Sequence, residues 1–157
     1  MALAGVSTLG ITFGYGVETT SGEKPSSFTK LNRINSIGGI TAEPETIDSS
    51  AIEDLVERTV AGRASTGGSF PVSVNFTPET LVEWENLIAA YKTAQEGQKR
   101  MWFQTIIPGF DKSFFVVAQP PQAIPQPEIG QNELLVVEFP LSIEELVGME
   151  AKVAFTA

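Results

Sequence analysis

The sequence predicts a mainly β domain with one α-helix, arranged as a two-layer sandwich or a barrel. Three observations point there. Fourteen Gly, ten Pro and ten Phe among 157 residues favour many turns and short strands over a helical bundle. Several runs alternate apolar with small or polar residues at the strand period. A single stretch carries the helical period.

Residues 1–8 are small and uncharged and read as an N-terminal arm ahead of one domain filling 9–157. In 9–17, Leu9, Ile11, Phe13, Tyr15 and Val17 alternate with Gly10, Thr12, Gly14 and Gly16, which predicts a half-buried strand. A loop over 18–27 leads to a weaker strand over 28–37, which Gly38-Gly39 ends. An acidic stretch, ITAEPETIDSSAIED (40–54), follows as a loop, then an irregular strand over 50–60 and a glycine-containing loop over 61–68. Residues 69–76 alternate cleanly, with Phe70, Val72, Val74 and Phe76 on one face; Pro71 suggests an edge or the start of a strand.

The helix is expected at about 78–95. Thr77 suits the N-cap, Pro78 the first helical position, and Glu79 the positive end of the dipole. Leu81, Trp84, Leu87, Ile88 and Tyr91 form one apolar stripe, and Gly97 is a plausible stop. Residues 100–107 and 112–119 flank PGFD as a hairpin. A proline-rich connection (120–131) precedes two last strands at 133–141 and 149–156, with SIEELVG between them. Phe114, Phe115, Val116 and Val117 are apolar on both strand faces, which fits a layered or closed sheet with the helix against one side.

Composition restricts the chemistry. The chain has no His and no Cys, so disulfides, Cys/His zinc sites and Ser-His-Asp or Cys-His catalysis are excluded. The formal charge of −9 argues against gripping nucleic acid, which needs clustered Lys and Arg. The start lacks a basic region and is broken by glycines, so it does not read as a signal peptide, and no apolar run is long enough to span a membrane as a helix. Charged residues are only 18%, low for a free monomer's surface, so part of that surface is expected to meet a partner.

Four motifs invite a sharper reading and fail it. GRASTGGS (62–69) approximates a phosphate-binding loop, but Gly68 stands at the lysine position and a strand follows instead of a helix. SGEK (21–24) has the Ser-x-x-Lys spacing of acyl transferases, but Gly22 and Pro25 make it a loop with a solvated lysine. The carboxylates of 40–54 lack calcium-loop spacing, and a glycosidase pair calls for a cleft with stacking aromatics. NFT (75–77) is a formal glycosylation sequon followed by Pro78. No enzyme, cofactor or metal is expected.

The order and wording of 9–76 resemble a bacteriophage major tail tube protein of the long, non-contractile (siphophage) type. The resemblance lies in the arm leading into LGITFGYG, in FTKLNRINSIGGI running directly into AEPETIDSSAIED, and in GSFPVSVNFTP after a glycine-containing loop. PETIDSSAIED is similar to the family's Pro-Glu-x-Ile-Asp followed by Thr/Ser and an acidic pair. From 77 onward the likeness is architectural. It implies a β-sandwich or barrel of the tail tube type, no C-terminal immunoglobulin-like domain, and a structural virion protein. Such a protein self-assembles into hexameric rings, stacked into a hollow tube that conducts DNA during ejection. It also implies tape measure, tail-tip and tail-terminator proteins as partners, no membrane, and assembly in the host cytoplasm. DNA carries one negative charge per ~1.7 Å of axis, so a lumen sharing its sign would let it slide rather than bind.

On that reading Glu53 and Glu57 are candidates to face the lumen. Leu3, Val6, Ser21, Glu23, Lys24, Glu43, Glu45, Asp48, Arg63 and Thr66 are candidates for contacts between subunits or rings. The alternatives are a tube or completion-ring subunit of a contractile tail or of a secretion or injection machine, and a monomeric β-sandwich binding module.

Overall fold

The computed structural model describes residues 9–40, 43–53, 55–56, 59–65 and 68–156, and of 43–48, 59–65 and 156 the backbone alone. The strands are β1 (Thr12–Val17), β2 (Phe28–Leu31), β3 (Ile34–Ile37), β4 (Glu43–Asp48), β5 (Thr59–Ser65), β6 (Ser69–Asn75), β7 (Met101–Ile106), β8 (Lys112–Gln119), β9 (Val136–Ala151) and β10 (Phe155–Thr156), with one helix, α1 (Pro78–Glu96), between β6 and β7. The fold is mainly β with a single helix, as the sequence predicts.

Eight strands make one sheet in the order β10-β2-β1-β7-β8-β9-β6-β3. Its pairings are antiparallel except that of β10 with β2. β4 and β5 form a separate antiparallel hairpin, with Glu43 opposite Ser65 and Asp48 opposite Thr59. The sheet must curl, and the connectivity says why. β2 and β3 lie near its two ends, yet only Asn32 and Arg33 join them. The three Cα–Cα steps from Leu31 to Ile34 span at most about 11 Å, so the ends are drawn together. Arg33 adopts φ 58° to make the turn, and its carbonyl accepts from Asn75 N on β6 at 3.0 Å. Glu83 of α1 accepts hydrogen bonds from both the backbone N and the side-chain amide of Asn32.

α1 packs on the concave side. Trp84, Leu87 and Ile88 join Phe13, Leu31, Phe70, Val72, Val74, Met101, Phe103, Phe139 and Leu141 in the main core. Leu81 and Tyr91 are half-buried flanks of that stripe, and Thr80 and Ala94 complete it. Thr77 caps the helix: its hydroxyl accepts from Thr80 N, and Thr80 Oγ1 accepts from Thr77 N at 2.9 Å. At the far end Gly97 has φ −88°, and Gln98 takes the left-handed conformation instead.

The opposite face of the sheet is also covered. Phe28, Trp102, Phe115 and Val117 make a second cluster with Val147, Val153 and Phe155. The glycines of β1 permit this: a Cβ on Gly14 would drive into the Phe155 ring and the Thr29 carbonyl, and one on Gly16 into the Ser27 carbonyl and Phe28.

Four readings of the sequence need correction. The stretch 28–37 is two strands, because Arg33 turns the chain between them. Within ITAEPETIDSSAIED, residues 43–48 are a strand rather than loop, and the segment expected as a strand (50–60) holds the hairpin's connection, while β5 occupies most of the expected loop 61–68. Cross-strand pairing overrides a local pattern of small and polar residues here. The last two expected strands are one 16-residue β9 running through SIEELVG, with register shifts against β8 at Phe115/Val116 and Val117/Ala118. Pro71 lies on an interior strand, directly opposite Pro140 of β9. Neither proline has an N–H, so the pair occupies a position where the ladder needs none.

Candidate functional site

Two surfaces stand out, and both follow from the β2–β3 turn and the hairpin. The first is the connection of the hairpin. Ile52, Leu55 and Val56 there are 108%, 102% and 75% exposed, and Glu53 beside them is exposed as well. These three exposed large aliphatic side chains fall within residues 52–56, in the connection between β4 and β5.

The second is a groove of about 920 Å³ at one end of the curled sheet. Ile11, Ile34, Ile37, Ile40, Ile107, Phe114 and Leu146 contribute apolar wall, and Lys30 and Arg33 are the only charged lining residues among those described. In a chain with 19 acidic and 10 basic residues, a groove lined by two cations and, among the described residues, no carboxylate is a local inversion of sign. Phe114 is 46% exposed at its edge, directly opposite the exposed Met149 of β9. The apolar run Phe114–Val117 thus divides: Phe115 and Val117 enter the second core cluster and Val116 the main one, whereas Phe114 stays exposed at the groove.

The expected contact residues fall in different places. Ser21 and Lys24 hold the loop 18–27 on its own chain: Ser21 Oγ donates to the Gln98 carbonyl at 3.3 Å, and Lys24 Nζ donates to the Ala151 carbonyl at 3.1 Å, lies 3.8 Å from Glu150 and sits over the Phe115 ring. Glu23 is exposed on the same loop. Glu43, Glu45 and Asp48 belong to β4, and Arg63 to β5 rather than to a loop. Glu53 lies in the turn between them, not on a strand. Leu3, Val6, Glu57 and Thr66 lie outside the described residues. The groove was missed because Lys30, Arg33 and the isoleucines of 34–40 read as one weak strand. Only the left-handed Arg33 turn, invisible to alternation, brings them to a common rim.

A buried polar cluster sits on the sheet's second face. Glu18 Oε1 accepts from the backbone N of Arg100 at 2.8 Å, Oε2 accepts from Trp102 Nε1 at 2.8 Å, and the Arg100 guanidinium reaches Oε2 at 3.3 Å. Arg100 also donates to Glu145 on β9 at 2.6 Å. Burial pushes the Glu18 carboxyl up, but the hydrogen bonds from Trp102, from the Arg100 backbone and guanidinium, and from the Gly22 backbone outweigh it and hold the carboxyl below its usual value. Nearby, buried Gln104 donates to the Val153 carbonyl and accepts from Val153 N and Ser113 Oγ, fastening the C-terminal segment. Each member has a partner, so the cluster is structural cement rather than a poised acid or base. Among the described residues no group of three or more potential ligand side chains could hold a metal ion, and no helix is long and apolar enough to cross a membrane.

The fold these elements define is a curled β-sheet with one helix and a separate hairpin. The particular resemblance is to a chain from the tail of an empty GTA particle, refined with C6 symmetry; it has 16% identity and a TM-score of 0.51, over 94% of this chain and 96% of that one. A chain of the anti-feeding prophage baseplate, 6-fold symmetrised, is similar at 13% identity and a TM-score of 0.47, over 96% of this chain and 98% of that one. No protein-family model matches the sequence. No curated protein matches it either.

Proposed function

We propose that this chain is the subunit of a phage-type tail tube. Six copies close into a ring, rings stack into a hollow tube, and DNA passes through it without being specifically bound. The carrying observation is the agreement of fold over nearly the whole of both chains with a subunit of a C6-symmetric particle tail. The hairpin turn supports the reading independently, since it presents three large aliphatic side chains that its own chain leaves uncovered.

The chemistry is consistent with that role. A chain of formal charge −9 repels a polyanion at short range, within a screening length of ~8 Å at physiological salt. The protein acts as a surface and performs no catalysis. Its place is in the virion tail, where tape measure, tail-tip and tail-terminator proteins would meet it.

Negative-stain electron microscopy across a concentration series, paired with light-scattering mass, tests this. Hollow tubes or six-membered rings are expected. A particle that stays monomeric at every concentration would overturn the proposal and return the chain to the class of monomeric β-sandwich binding modules.

A further inference from the structure

We propose that the hairpin turn of one subunit docks into the groove of the next, with Ile52, Leu55 and Val56 as the inserted knob and Lys30 and Arg33 as the cations that orient it. This rests on the tail tube reading and specifies its contact.

Four observations carry it. The knob is uncovered: its three aliphatic side chains contact almost nothing in their own chain. The groove is apolar, lined by isoleucines from three parts of the chain and edged by the half-exposed Phe114, with a volume of about 920 Å³. The charges are complementary, because exposed Glu53 sits within the knob and, among the described residues, the groove's charged lining residues are Lys30 and Arg33. Finally, the turn does not occupy its own chain's groove, since Ile52 and Leu55 are fully exposed. Ile40 lines the groove, and β4 begins three residues later. Six residues of strand then carry the turn about 20 Å away from that start.

Knob and groove are different surfaces, so the contact is heterologous. It repeats from copy to copy and either closes into a ring or continues into a stack. Apolar burial would supply the adhesion, and the cations would steer the acidic turn into register. It also places Glu53 at the subunit contact instead of free in the lumen.

The native chain lacks cysteine, so introduced thiols report a single pair. Full-length protein carrying Leu55→Cys would be mixed with a mass-tagged protein carrying Phe114→Cys, assembled, oxidised and separated under denaturing, non-reducing conditions. Both positions are exposed, so neither change disturbs the core. The expected result is a cross-linked pair joining the two proteins, well above that formed when Val82→Cys on the exposed side of α1 replaces Phe114→Cys. Rings or tubes that form without this excess overturn the docking and leave the proposed function standing. Protein that remains monomeric overturns both. Charge reversal gives a second reading: Lys30→Glu with Arg33→Glu should raise the concentration needed for assembly about tenfold or more, and adding Glu53→Lys should recover part of that loss. Assembly indifferent to the reversal would remove the cations from the contact.

Discussion

The indole nitrogen of Trp102 donates to Glu18 Oε2 across 2.8 Å, joining the loop after β1 to the first turn of β7 inside a buried face. The carboxylate form of Glu18 is the one these donors favour, so its folded pKa lies below its unfolded value. The stabilisation is therefore complete above the unfolded value, ~4.3, and disappears as pH falls through the folded value. Urea midpoints measured from pH 7 to pH 3 should drop steeply below about pH 4. Glu18→Gln should cost about 1–3 kcal/mol at pH 7 and flatten that acid limb. A variant whose acid limb matches the parent's would show that Glu18 does not govern it.

Gly14 is required by its neighbour rather than by its backbone angle. A methyl group there meets the Thr29 carbonyl, held by its backbone, and the Phe155 ring, which would have to shift. Gly14→Ala should lower stability by about 1–3 kcal/mol. It should also hasten hydrogen exchange at the amides of β10. Unchanged exchange there would mean that Phe155 does not depend on the glycine.

Trp84 and Phe139 stack with ring centroids 3.9 Å apart and 2° between their planes, and Trp84 is fully buried. Its Nε1 has no hydrogen-bond partner among the described residues. Trp84→Ala should cost about 3–5 kcal/mol. Trp84→Phe should cost distinctly less, since it keeps an aromatic face on Phe139 and removes an unsatisfied donor. Chemical unfolding of both variants checks this; equal losses would mean that stacking contributes little.

Gln104 fastens the C-terminal segment through both hydrogen bonds to Val153, at 2.8 and 2.9 Å. Gln104→Leu leaves the Val153 amide, the Val153 carbonyl and Ser113 Oγ without that partner, so a loss of about 2–4 kcal/mol is expected. Limited proteolysis should then cut first near residues 152–155. Retained protection there would assign the anchoring to Phe155 alone.

Much of the fold was legible along the chain, for local reasons. The helix announced itself through Thr77, Pro78 and a stripe ending in Tyr91, because capping and the helical period are properties of neighbouring residues. The 69–76 strand and the hairpin about PGFD were readable for the same reason: alternation and turn chemistry act over a few residues. The glycines of 10–16 were visible, but not their purpose, since the rings they admit come from Phe28 and Phe155.

The candidate site was legible only in part. The acidic stretch stood out by composition, and its role in assembly was inferred from the resemblance. The groove was not legible at all.

What the sequence by itself determined is the class: a β-rich chain with one helix, a formal charge of −9, and no side chains for disulfides, Cys/His zinc sites or Ser-His-Asp and Cys-His catalysis. Those conclusions depend on which residues are present and on their short-range order. Only the tertiary structure decided that residues 43–48 and 59–65 pair into a hairpin, that β9 runs unbroken through SIEELVG, and that Lys30, Arg33, Ile107 and Phe114 share one groove. These depend on pairing between distant segments and on a two-residue turn at Asn32–Arg33 that pulls the ends of a sheet together. No local pattern encodes such closure, because it is the sheet as a whole that satisfies it.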